Sequence, residues 1–301
     1  MEFYNELCKL VEEESVLRDE PMSRHTTFRI GGPADYFVTP ENAARLCQVV
    51  ELCKAQQIPY YIMGNGSNLL VGDGGFRGAV IQVFKKMNNV RVEGTQVYAE
   101  AGALLSKIAS MALEHELAGF EFAAGIPGTL GGALMMNAGA YGGEMKQVLK
   151  SARVLDEHGE LRTLTVAELE LDYRTSILTR ASYIAIDAVI ELEKGNAAEI
   201  RVRMEELKEQ RTTRQPLELG SAGSAFKRPE GYFAGKLIDD AGLRGFRVGD
   251  AQISEKHCGF VVNLGSATAA DVVSLMEQVA DRVEEQFGVR LEPEMKYIGE
   301  F

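Results

Sequence analysis

Gly64-Asn65-Gly66-Ser67-Asn68-Leu69-Leu70 is the stretch that decides the reading, together with a second one, Ala124-Gly125-Ile126-Pro127-Gly128-Thr129-Leu130-Gly131-Gly132. The first follows the apolar run Tyr60 to Met63, so a strand enters a loop whose successive N–H groups can form a concave nest for a phosphate. After Gly64 and Gly66 the third glycine of a dinucleotide fingerprint would fall at Leu69, and no G-x-x-x-x-G-K-[ST] occurs, which removes both common phosphate motifs. The second stretch continues through Asn137-Ala138-Gly139-Ala140-Tyr141-Gly142-Gly143 and is apolar as well as glycine-rich. Such a segment can lie against a large flat ligand and offer backbone groups to its polar edge. Fourteen of the 31 glycines fall in residues 64–78 and 119–143. Glycine costs entropy on folding, so the clustering requires either tight turns or close approach to a ligand, and spacing alone leaves both open.

The composition bounds what surrounds these windows. With 301 residues, 46% hydrophobic and 25% charged, the chain reads as a globular protein of about two domains. Its net charge of −12 disfavours nucleic acid and anionic membrane surfaces as partners, so an anionic ligand needs a local basic cluster. Cys8, Cys47, Cys53 and Cys258 form no C-x-x-C pair and there are only four His, which argues against a metal centre and for free thiols in a reducing cytosol. The first residues carry no signal-peptide pattern. Phe122 to Gly143 lacks charge, but its glycines and Pro127 rule out a spanning helix.

Periodicity predicts alternating helical and extended segments. Phe3, Leu7, Leu10 and Val11 mark a leading helix, and Thr39-Pro40 is read as the cap of a helix ending before Pro59. Strands are expected at 60–63, 79–84 and 97–100, followed by a helix at 104–117. A hairpin is read over 151–165 and a strand over 183–192. Asn196 caps a charge-rich helix to Arg214, taken as the connection between two domains. Beyond it, helices are predicted at 233–240 and, from the Thr268 cap to Gly288, at 269–287, with strands at 259–263 and 295–298.

The collinear order of the two glycine stretches, Asn137-Ala138-Gly139-Ala140-Tyr141-Gly142, Tyr173-Arg174-Thr175-Ser176, Ala222-Gly223-Ser224-Ala225-Phe226-Lys227 and Leu291-Glu292-Pro293-Glu294 resembles the UDP-N-acetylenolpyruvoylglucosamine reductases in their shorter form, over nearly the whole chain. The resemblance implies an α+β fold, with an FAD-binding domain of the vanillyl-alcohol-oxidase (PCMH) type in two subdomains and a smaller α+β substrate domain. It places a lead-in at 1–22, the FAD domain at 23–195 (subdomains about 23–85 and 86–195), and the linker helix with the substrate domain at 196–301, whose C-terminal segment returns Glu294 to the active site. It implies noncovalent FAD held by Gly64, Asn65, Gly66, Ser67, Asn68, Leu69, Ile126, Pro127, Gly128, Thr129, Gly131, Gly132, Asn137, Ala138, Gly139, Ala140, Tyr141 and Gly142. None of His25, His115, His158 and His257 lies in the first loop to attach it covalently.

The implied reaction reduces an enol ether in peptidoglycan precursor synthesis in the cytoplasm: NADPH reduces FAD at N5, and hydride passes to C3 of the enolpyruvyl group of a UDP-sugar. Charge then grows at C2 and in the neighbouring carboxylate, where stabilisation counts. By resemblance Arg174 grips that carboxylate, Ser224 donates the proton to C2, and Glu294 assists in its protonated form. Arg211, Arg214, Lys227 and Arg228 are the basic side chains expected to serve the diphosphate, with Lys236 and Lys256 behind them and Tyr173 against the substrate. No tyrosine-bearing insertion follows Tyr183, so Arg228 is expected to take its closing role. Two rivals remain at this point: a sugar or lactone oxidase or dehydrogenase of the same fold, and a nucleotide-binding module without catalysis. The sequence sets no oligomeric state.

Overall fold

The computed structural model describes residues 2–301. In chain order the elements are α1 (Glu2–Leu10), β1 (Val16–Pro21), β2 (Pro33–Val38), α2 (Ala43–Ala55), β3 (Tyr60–Met63), β4 (Leu69–Val71), β5 (Phe76–Gln82), β6 (Val90–Glu93), β7 (Gln96–Glu100), α3 (Leu105–Glu114), β8 (Leu117–Ala118) and α4 (Leu130–Met136). They continue with β9 (Gly139–Ala140), β10 (Gly143–Glu144), α5 (Met145–Val148), β11 (Leu149–Leu155), β12 (Leu161–Thr165), α6 (Ile177–Arg180), β13 (Ile184–Glu191), β14 (Glu193–Lys194) and α7 (Ala197–Arg214). The last are α8 (Ala234–Asp240), β15 (Arg247–Val248), β16 (Ala251–Ile253), β17 (Val261–Asn263), α9 (Ala269–Phe287) and β18 (Lys296–Ile298).

The chain forms two compact units that interleave along the sequence. Unit 1 comprises Met1–Leu17, Tyr36–Asn65 and Ala79–Arg211; unit 2 comprises Arg18–Asp35, Gly66–Gly78 and Thr212–Phe301. The reading of one cut between 195 and 196 differs from this division. Helix α7 belongs to unit 1 as far as Arg211, because Ile200 and Leu207 are buried and Gly195 lies against Ala118. The segments 18–35 and 66–78 belong to unit 2, because Phe28, Ile30 and Leu70 are buried in its core.

Unit 1 contains an antiparallel sheet of order β12-β11-β13-β7-β6, with β11 and β12 forming the expected hairpin (Ser151 opposite Thr165). A second sheet has the order β1-β2-β5-β3, in which β3 and β5 run parallel. The apolar face of α2, Leu46, Val49, Val50 and Cys53, is buried in the unit 1 core, and complete burial of each aliphatic side chain of that kind contributes about 1.5–3 kcal/mol. Its cap is not Thr39-Pro40. Thr39 donates its N–H to Ser15 O at 2.9 Å, and Asn42 caps the helix by accepting from Arg45 N at 3.0 Å.

Unit 2 is built on α9, which buries Val272, Leu275, Met276, Val279 and Val283. Thr268 and Asp271 form a reciprocal capping box, and Gly288 closes the helix at φ 68. Asp73 adds a remote cap, its carboxylate accepting from Ala269 N at 2.8 Å and Ala270 N at 3.0 Å. Strand β4 lies inside what the sequence presents as a glycine loop. Its partner is β18, paired in parallel from Lys296 opposite Leu69 to Ile298 opposite Val71. Among the described residues no helix is long and apolar enough to cross a membrane, no cluster of metal-ligating side chains occurs, and the four cysteines are free.

Candidate active site

In unit 1 the two glycine windows touch. Asn65 Nδ2 donates to Pro127 O at 3.0 Å, and Gln82 Nε2 donates to Gly64 O at 3.3 Å. A Cβ on Gly64 would fall on the hydroxyl of Thr129, so only glycine permits this approach. Thr129 is 1% exposed, yet its Oγ1 bonds to nothing among the described residues, and neither does the buried Oε1 of Gln82. An orphaned buried polar atom costs about 1–3 kcal/mol, and a site that awaits a polar ligand is one physical reason to carry it.

The rest of the second window is divided in purpose. Asn137 ends α4 in the left-handed conformation (φ 42), and both ends of its amide are engaged: Oδ1 accepts from Lys146 N at 2.9 Å and Nδ2 donates to Glu144 Oε2 at 3.0 Å. It therefore shapes the Ala138–Gly142 turn. Gly131 packs on Ala101, whereas Gly142, at φ +88, has open space around it. Arg211 lies against Gly125; burial pulls its guanidinium below the usual range, and the phenol of Tyr141 opposes that shift. Arg174, half-buried, occupies the turn closed by reciprocal Asp172 and Thr175 backbone bonds of 3.1 Å. Its φ of 54 is rare for a residue with a side chain and costs on the order of 1 kcal/mol. The guanidinium lies 5.0 Å from the centre of the Tyr173 ring, which is 50% exposed.

In unit 2 the Ser224–Lys227 segment is held between two others. Ala225 N donates to Gly259 O at 2.8 Å, Glu294 N to Ala225 O at 2.9 Å and Lys227 N to Glu292 O at 2.8 Å. Ser224 is bridged with Phe260 and Phe226 with Pro293. Ser224 and Glu294, 70 residues apart in sequence, thus sit on neighbouring strands of one small ladder. The first glycine loop meets the same ladder: Asn68 Nδ2 donates to Glu294 O at 3.3 Å, and Gly223 faces Ser67 O. Thr27, which sequence reasoning missed, ties loop to ladder, donating its N–H to Gly66 O at 3.2 Å and its hydroxyl to Ser221 O at 2.7 Å. Among the described residues the N–H groups of Gly66, Ser67 and Asn68 donate no backbone hydrogen bond, as an anion nest requires. Leu69 is 6% exposed in β4, so it can present only its backbone.

The expected basic side chains are distributed over both units. Arg211 belongs to unit 1, and Arg214, Lys227 and Arg228 to unit 2. Lys227 Nζ is paired with Glu292 Oε2 at 2.9 Å, and Lys256 Nζ donates to Thr212 O at 2.8 Å. Arg228 donates Nε to Tyr232 O at 3.2 Å with its guanidinium 3.9 Å from the centre of the Phe233 ring. Burial pushes the thiols of Cys53 and Cys258 up to about 12 and about 11, which removes both as nucleophiles near neutrality.

Residues 34–165 match the FAD binding domain family, so fold and site together define a flavoprotein of mixed α+β architecture. Within unit 1, the orphaned hydroxyl and the Gly64 approach fit such a cofactor. Residues 215–298 match the C-terminal domain of UDP-N-acetylenolpyruvoylglucosamine reductase. The chain is 55% identical over 297 residues to the reductase of that name from Alkaliphilus oremlandii, covering 99% of this chain and 98% of the relative, and 50% identical to that of Clostridioides difficile over 99% and 98%. It superposes on the crystal structure of the Thermus caldophilus reductase with a TM-score of 0.82 at 38% identity, covering 94% of this chain and 99% of that one. Wild-type Phl p 4.0202, a glucose dehydrogenase, at 13% identity and a TM-score of 0.51, shares the fold alone. The chain belongs to the UDP-N-acetylenolpyruvoylglucosamine reductase family.

Proposed function

We propose that the protein is an FAD-containing, NADPH-dependent oxidoreductase that reduces UDP-N-acetylglucosamine enolpyruvate to UDP-N-acetylmuramate. Identity of 55% over 297 residues, covering 99% of the chain, carries this reading. It sets aside the oxidase and the non-catalytic module. The reaction serves peptidoglycan synthesis in the cytoplasm, and through it cell shape, the cell cycle and division.

When bound, FAD would supply the hydride-transfer chemistry between NADPH and C3 of the enolpyruvyl group. Gly64 to Leu69, Ile126 to Thr129, Gly131, Gly132 and Asn137 to Gly142 would hold it; Thr129 Oγ1 would supply a hydrogen bond and the N–H groups of Gly66 to Asn68 the phosphate nest. The FAD function lies in the domain containing residues 34–165, and the substrate function in that containing 215–298. Arg174 binds the substrate carboxylate, where negative charge accumulates as the hydride arrives. Ser224 delivers its hydroxyl proton to C2. Glu294, as the neutral acid, donates a hydrogen bond to the same carboxylate. Arg211, Arg214, Lys227 and Arg228 serve the diphosphate, Tyr173 packs on the substrate, and Arg228 with the exposed Tyr232 and Phe233 replaces the closing tyrosine loop.

The test separates the half-reactions by anaerobic stopped flow. NADPH should bleach wild type and Ser224→Ala at the same rate, while recovery of colour on adding the enolpyruvyl sugar should be about 100- to 10,000-fold slower in the variant. Unchanged recovery, or equal loss of both phases, removes Ser224 from the role.

A further inference from the structure

We infer that His257 is a positioning residue for Ser224, acting through the Gly259 peptide. The inference rests on the reading of Ser224 as proton donor. His257 opens the turn that ends at Phe260, whose N–H returns to His257 O at 3.0 Å. Inside that turn Gly259 N donates to His257 Nδ1 at 3.0 Å, a side-chain acceptor meeting the N–H two residues on, as in an Asx turn. With Nδ1 accepting, the neutral ring carries its proton on Nε2.

The other end of the same residue holds the reactive segment. Gly259 O accepts from Ala225 N at 2.8 Å, and Phe260 is the bridge partner of Ser224. The imidazole therefore fixes the N–H of Gly259 while its carbonyl fixes the backbone beside the serine. The ring is itself fixed. Phe260 meets it edge-on with centroids 5.1 Å apart, and Ser254 Oγ accepts from His257 N at 3.3 Å and Lys256 N at 3.2 Å. Two glycines leave it room: a Cβ on Gly259 would stand 3.0 Å from Cε1, and one on Gly235 3.5 Å from the same atom. Loss of the Nδ1 acceptor would free Gly259 to rotate and shift the serine, and a displacement of about 1 Å at a reacting group can cost on the order of 100-fold in rate.

The experiment compares His257→Leu and His257→Asn as full-length holoenzymes in the two stopped-flow phases. Leu removes the acceptor and keeps bulk; recovery of colour should slow by about 10- to 100-fold, with bleaching by NADPH unchanged. Asn can accept from Gly259 N with its Oδ1, so it should restore recovery to within about threefold of wild type. A role confined to holding the fold would slow both phases together and show no advantage of Asn over Leu, and either result overturns the inference. Gly259→Ala, whose Cβ presses on the ring, should slow recovery alone and decides the matter if the Leu variant does not fold; normal recovery there also overturns it. If Ser224→Ala recovers at the wild-type rate, the proton-donor reading falls and the inference with it. If Ser224→Ala is slow and His257→Leu is not, the inference falls alone.

Discussion

Two threonines open two helices of this chain with nearly the same backbone, Thr268 before α9 at φ −92, ψ 163 and Thr129 before α4 at φ −97, ψ 162. At α9 the first N–H groups are met three times over, by the Thr268 hydroxyl, the returning Asp271 side chain and the Asp73 carboxylate. At α4 the N–H groups of Leu130 and Gly131 donate instead to Ala103 O at 2.9 Å and Ala101 O at 2.8 Å. The Thr129 hydroxyl is thereby released from capping, and it is buried without a partner among the described residues. The contrast separates a threonine whose hydrogen bonds complete the fold from one whose buried hydroxyl has no partner among the described residues.

The largest effect on that contrast should come from Gly64→Ala. The added methyl collides with Thr129, and the flavin dissociation constant, followed by fluorescence titration, should rise by about 10- to 100-fold. Unchanged affinity would mean that the cradle is not where flavin binds. The paired variants Thr129→Val and Thr268→Val come next. Thr268→Val should cost about 1 kcal/mol in urea unfolding and leave flavin affinity of the folded protein alone. Thr129→Val should lose no stability without flavin but weaken flavin binding by about 1 kcal/mol, roughly fivefold. If both variants lost stability alone, the two caps would be equivalent and the distinction would disappear.

The smallest effect is a pH dependence that turns a satisfied region into an unsatisfied one. Burial holds the His257 imidazole below its ordinary 6.5, with Arg244 and Arg214 pushing the same way. Between the ordinary value and the lower folded one, the unfolded chain binds more protons, so stability rises with pH across that window and is lost as pH falls through it. The melting temperature should decline on acidification below about 6.5, and His257→Asn should remove that component. An identical decline in the variant assigns it to other groups.

Much of the fold was legible where stop and start signals are local. Thr268, Asp271 and Gly288 bound α9 within a single stretch of sequence, and Asn196 does the same at the start of α7, accepting from Ala198 N at 2.9 Å. The errors arose where distant residues competed. Thr39 is taken by Ser15, which moves the start of α2 to Asn42. Strand β4 has three residues and no local partner, so its glycine-rich surroundings read as loop until β18 pairs with it. In the candidate site the clustered glycines pointed to a ligand, but Ser224, Glu294 and Arg174 stood out only through their resemblance to a family. The orphaned hydroxyl of Thr129 and the grip of His257 on Gly259 have no signature in sequence, because each depends on which partners tertiary packing has already supplied.

The pairing of β4 with β18 also dictates an order of events during synthesis. A ribosome that has just released residues 69–71 has yet to make the strand that supports them, and Gly72 and Gly74 wait likewise for Ile298 O and Glu300 O to accept their N–H groups. Residues 69–74 gain these partners only once residues 296–300 have been made. Support for that loop is thus the contribution of a segment more than 220 residues away in sequence.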